Sequence, residues 1–141
     1  ETIPQLAAEW AVDDSGTVWT IKLQEGVQFH KGWGEFKAED VVWSMERCSS
    51  PDSLNQLQNV CARLFAQEGG GAKVIDDYTL EVNTVTRQGD FVYRIFTPGI
   101  LRVNSKKHFQ EVSDLTNYQS NAAGAQAIGT GPWEFVDQKS G

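Results

Sequence analysis

The sequence predicts an α+β fold in which two β-hairpins form a mainly antiparallel sheet, packed with two longer helices and one or two short ones. Three observations carry this. Apolar residues alternate with period two in two regions, each built around an aspartate-rich turn. Between those regions they follow the 3.6-residue period of an amphipathic helix, twice. Strands and helices come mixed, with neighbouring strands joined by short turns, an order that favours α+β over a doubly wound parallel sheet.

Leu6, Ala8, Trp10 and Val12 alternate with Gln5, Ala7, Glu9 and Ala11, as in a half-buried strand. Asp13-Asp14-Ser15-Gly16 supplies turn chemistry, and Trp19, Ile21 and Leu23 form one face of the returning strand. Gly26 and Gly32 bracket a short extended piece, Val27 to Phe29. Ala38, Val41, Val42, Met45 and Cys48 then line one side of a helix whose first turn carries Glu39 and Asp40, where the helix dipole favours acids. Pro51 ends it. A second helical pattern runs through Leu54, Leu57, Cys61, Leu64 and Phe65 and stops at Gly69-Gly70-Gly71. The second hairpin pairs Val74 and Ile75 with Tyr78, Leu80 and Val82 across Asp76-Asp77. Asp90 to Phe96 suits one or two helical turns, Ile100 to Val103 an extended stretch, and Ser105 the cap of a short helix through Val112. Asn117 to Gln126 is polar and small, a surface loop, and Trp133 to Val136 reads as a final strand.

The 141 residues amount to a single domain, 40% hydrophobic and 22% charged. A net charge of −7 speaks against nucleic acid as a partner, because counterion displacement needs a basic surface, and against attraction to anionic lipid. No apolar run approaches the roughly 18 residues that would cross a membrane. The chain starts at Glu1 and stops at Gly141 just after the last apparent strand, so we expect an excised piece of a longer protein, and the absence of a secretory signal does not place it in the cytoplasm.

No string of the forms G-x-S-x-G, H-E-x-x-H, G-x-x-x-x-G-K-[ST] or C-x-x-C occurs, and no catalytic, metal or cofactor site is expected. Of the two histidines, His30 reads as a solvated loop residue; a small hydrolase would have to use it with scattered carboxylates. Cys48 and Cys61, thirteen residues apart on the apolar faces of consecutive helices, are either core thiols or a disulfide joining those helices. Of five tryptophans, Trp10 and Trp19 fall on strand core faces. Trp33 and Trp43 are the ones expected to be exposed, and a carbohydrate-binding module would stack sugars on them. Gly129-Thr130-Gly131-Pro132 is a tight entry into a strand and lacks the third glycine and helix of a phosphate loop. Arg102, inside Ile100-Leu101-Arg102-Val103, is either paired structurally with a carboxylate or aimed at an anionic ligand group.

Several strings line up in order with one family. Leu6-Ala-Ala-Glu-Trp10 with Asp14-Ser-Gly-Thr-Val-Trp-Thr-Ile-Lys-Leu23 resembles "LAxSW…DGxTYTFxLR". Gly26-Val-Gln-Phe-His-Lys-Gly32 resembles "GVxFHDG", and Ala38-Glu-Asp-Val-Val-Trp-Ser-Met-Glu-Arg47 resembles "AEDVVxSxxR". Asp76-Asp-Tyr-Thr-Leu-Glu-Val82 resembles "DDYTVxx", and Ile128-Gly-Thr-Gly-Pro-Trp133 resembles "xGTGPY/W". Together they resemble the family 5 extracellular solute-binding proteins, the peptide/nickel-type receptors of bacterial ABC importers. Two positions depart from the pattern. Lys37 stands where a Thr or Ser caps the helix, which predicts a weaker N-cap, and Lys31 replaces an acidic residue.

The resemblance implies the β-rich subdomain inserted into the first lobe of a two-lobed receptor. It implies an extracytoplasmic location, periplasmic or cell-surface, and binding without chemistry. The implied partners are a solute and a membrane ABC permease. A peptide is the first expectation for the solute, with nickel chelates, oligosaccharides or opine-like molecules as others. It carries over two ligand-binding positions, Arg102, ahead of Ser105-Lys106-Lys107, as a contact to a solute carboxylate, and Asn55 in the segment after the first long helix.

Overall fold

The computed structural model describes residues 5–96, 100–112 and 128–136. Four strands, β1 (Ala7–Val12), β2 (Val18–Leu23), β3 (Gly71–Asp76) and β4 (Thr79–Asn83), form one antiparallel sheet in the order β1-β2-β4-β3. The two predicted hairpins therefore meet through their second strands, with Trp19 opposite Val82 and Ile21 opposite Leu80. A 3-10 turn at His30–Gly32, helices α1 (Ala38–Ser49) and α2 (Gln58–Phe65) and the short α3 (Phe91–Phe96) and α4 (Lys106–Val112) complete the described elements.

Trp19, Ile21, Leu23, Leu80 and Val82 point to the helical side and share a core with Phe36, Val41, Met45, Leu64 and Phe91. The other face is polar and carries the cross-strand ion pairs Glu9–Lys22 (3.3 Å) and Lys73–Glu81 (2.7 Å). Exposed pairs of this kind contribute up to about 1 kcal/mol, whereas each fully buried aliphatic or aromatic side chain contributes about 1.5–3. Core burial sets the register, because a slip of one residue would turn these side chains out to water.

Strand β1 departs from the predicted alternation. The register shifts between Ala7 and Glu9, so Ala7 faces Leu23 while Trp10 faces Ile21. This bulge puts residues three apart on one face: Ala7 is buried where Ala8 was expected, and Trp10 is only half-buried. Helix α2 begins at Gln58, leaving Leu54 81% exposed and outside the predicted helical face. Trp133 to Val136 forms no strand; Trp133 is 88% exposed and pairs with no strand of the sheet. The predicted loop over 117–126 lies outside the described residues.

Candidate functional site

Helix α1 is the platform for the two carried-over positions. Asp40 in its first turn is buried, and Oδ2 accepts the Lys37 N–H (3.0 Å) while Oδ1 accepts the Lys106 N–H that opens α4 (2.8 Å). One carboxylate thus caps its own helix and the next, and burial holds it above the ordinary range despite both donors. Lys37 supplies no side-chain cap and instead binds Asp77 in the β3–β4 turn (2.6 Å). Ser105 caps α4 by accepting the His108 N–H (3.3 Å), and Ser44 on α1 accepts the Asn104 N–H (3.0 Å).

At the other end of α1, Cys48 is joined to Cys61 of α2 by a disulfide, with Cα atoms 5.7 Å apart. The loop between the helices carries Asn55, whose Oδ1 accepts the Leu57 N–H (2.9 Å) and whose Nδ2 lies 3.2 Å from Cys48 Sγ. From the opposite side, the Ile100 carbonyl oxygen rests 3.6 Å from Cys48 Sγ and 3.8 Å from Cys61 Sγ. Arg102 follows two residues later. It is exposed and forms no ion pair among the described residues. The Asn55 side chain and the Ile100 carbonyl therefore meet over the disulfide as a ledge, where Asn55 keeps spare donor and acceptor capacity and the exposed Arg102 follows two residues further along the chain.

The aromatic and histidine expectations need correction. Trp33 and Trp43 are half-buried: Trp33 meets the ring of His108 edge-on at 4.6 Å, and Trp43 meets Phe109 at 5.0 Å. The Arg47 guanidinium lies 5.3 Å from the Trp43 ring centre. Helix α4 takes up part of both rings. His30 is not a solvated loop residue. Its Nδ1 accepts the Gly129 N–H (3.3 Å), which leaves Nε2–H to donate to the Gly131 carbonyl (2.7 Å). Both nitrogens thus clamp the Gly-Thr-Gly-Pro turn, a contact across about a hundred residues that local pattern does not encode. The second capping role of Asp40 was equally hidden, although an acid at the third helical position is the local signal for its first. No cluster of three metal-ligating side chains occurs among the described residues.

This fold is shared with bacterial solute-binding proteins. DppA from Helicobacter pylori, solved in complex with the peptide STSA, is 25% identical, with a TM-score of 0.74 over 96% of this chain and 28% of its own. The oligopeptide-binding protein AppA from Bacillus subtilis, solved with a nonapeptide, is 23% identical with a TM-score of 0.77 over 97% of this chain and 26% of its own. In sequence, the glutathione-binding protein GsiB of Pectobacterium atrosepticum is 28% identical over 131 residues, 93% of this chain. Residues 1–141 match the family described as bacterial extracellular solute-binding proteins, family 5 Middle, and the chain belongs to it. It spans about a quarter of the length of these relatives, 23% of GsiB and 26% of AppA.

Proposed function

We propose that this chain is one domain of a longer extracytoplasmic receptor that captures a peptide and delivers it to a membrane ABC permease. The observation that carries this is the family match over the whole chain. Fold alone does not select a solute. The peptide class is favoured because GsiB is named for glutathione, a small peptide, and DppA was solved with a peptide.

The receptor works by binding without chemistry: two lobes close about the solute by a hinge motion, and the closed form docks on the permease. Arg102 offers a fork of donors that matches a peptide's terminal carboxylate, and it is unpaired among the described residues. Asn55 adds an amide over the disulfide, against which the Ile100 carbonyl also rests.

A thermal-shift screen of the chain and of the intact receptor tests this, using short peptides, nickel chelates, opines and oligosaccharides. A solute at about 100 times its Kd adds about 2.7 kcal/mol, a shift of several degrees. We expect peptides to shift the intact receptor alone. A shift only with a non-peptide solute replaces the peptide assignment; an equal shift of the isolated chain would place the whole site within these residues.

A further inference from the structure

We propose that the Cys48–Cys61 disulfide is the positioning device of the ledge, locking the Asn55 loop against the Ile100–Arg102 segment so that solute affinity depends on the bond being closed. This rests on the reading above that the ledge faces the solute. Residues 50–57 form no helix or strand and hold themselves only by short-range hydrogen bonds, such as Ser53 N–H to the Ser50 carbonyl (2.9 Å). Their bonds to the flanking helices are the Ser50 N–H to the Glu46 carbonyl (2.9 Å), the Asn55 amide on Cys48 Sγ, and the Leu57 carbonyl that accepts the Cys61 N–H (3.0 Å), with the disulfide closing the loop at its base. Across the ledge, Ile100 rests its carbonyl against both sulfurs, and Asn104 is pinned to Ser44. The two sulfurs are thus the shared floor on which both segments sit. They are nearly inaccessible, Cys48 being 7% and Cys61 0% exposed, so the bond is shielded from casual exchange. Segments with few packed contacts are the ones that open locally, and a covalent tie at their base restrains that opening.

The test opens the bond in the folded protein. Dithiothreitol delivers two electrons and two protons, leaving Cys48 and Cys61 as thiols while it closes to its own disulfide; the Cys48→Ser/Cys61→Ser variant gives the same open state without thiols. Backbone order parameters of the chain are then measured by NMR. We expect residues 53–57 and 100–103 to fall from about 0.85 towards 0.6 while β2 and β4 keep theirs. Unchanged order on the ledge overturns the proposal, and so does global unfolding of the reduced wild-type chain, which would make the bond a general staple. In the intact receptor, affinity for Ser-Thr-Ser-Ala or trialanine, whichever binds, is expected to weaken about tenfold on opening and to return on reoxidation. Unchanged affinity overturns the proposal. If Arg102→Ala and Asn55→Ala leave binding untouched, the ledge does not face the solute; the solute reading then fails while the order-parameter result still stands or falls separately.

Discussion

Asp40 is buried where two helices begin, and each of its oxygens serves one of them. Asp40→Ala removes both caps and is expected to cost about 1–2 kcal/mol in urea unfolding, with Asp40→Asn costing less because one acceptor oxygen survives. Its folded-state pKa is raised by burial, so its contribution is fully present below the unfolded value of 3.8 and declines as pH rises through the folded one. His108 behaves oppositely. Burial beneath Trp33, aided by the Lys31 charge, lowers its pKa below 6.5, so its contribution is present above 6.5 and lost as pH falls through the folded value. The melting temperature should therefore drop from pH 7 towards pH 5, and His108→Gln should flatten that slope. Arg102 is exposed, so Arg102→Ala should change stability by no more than about 0.5 kcal/mol. In the intact receptor it should weaken peptide binding by about 1.5–3 kcal/mol, the range for a hydrogen bond to a charged group. Amidating the peptide's C-terminus removes the same contact, so calorimetry should find the two changes together costing little more than either alone.

At the scale of elements, α1 does most of the organising. It packs on the sheet, binds α2 through the disulfide, seats α4 through Asp40, and touches the β3–β4 turn through Lys37 and Asp77. Lys37 is a poor cap, but the exposed ion pair it forms instead is worth little by itself. The Ala38 N–H bond to the Asp77 carbonyl (2.8 Å) gives the same junction a backbone tie. The disulfide closes a loop with a sequence separation of 13, for which the chain-entropy account gives about 3 kcal/mol. The Cys48→Ser/Cys61→Ser chain should lose about that much in urea or thermal unfolding while remaining folded, a loss within the usual reserve of about 5–15 kcal/mol. The β1–β2 turn is held differently: Asp13 Oδ1 accepts the Thr17 and Val18 N–H groups at 3.1 and 3.0 Å, and Ser15 donates to Oδ2. These bonds hold Asp13 at about 2, so that turn should tighten above 3.8 and loosen as pH falls towards 2.

For the whole molecule, one core joins the sheet to its helices, and the ledge lies at the far end of α1 from the hairpin turn that Lys37 grips. Arg102, two residues beyond the Ile100 carbonyl that rests on the disulfide, is exposed at the surface. Such a surface binds tightly only when a second wall removes the solute from water, because an exposed charge pair is worth little while a desolvated one is worth several-fold more. This is why the isolated chain is expected to show no thermal shift with peptides and the intact receptor to show one of several degrees.

Element identity was legible in the sequence wherever one local period decided burial. Ala38 through Cys48 and Trp19 through Leu23 behave as their spacing predicts, since side-chain direction in a helix or strand follows from position alone. The Ser105 cap and the aspartate turns were legible for the same reason, each being chemistry within a few residues. The ordered strings pointed to the family. Tertiary structure decided the rest. The bulge at Ala8, the covering of Trp33 and Trp43 by α4, the His30 clamp on Gly129 and Gly131, and the meeting of Asn55 with Ile100 over the disulfide all join residues distant in sequence or shift a register by one. Such contacts follow from how the elements pack, and a local pattern records only that a side chain is apolar or polar, not which partner it will meet.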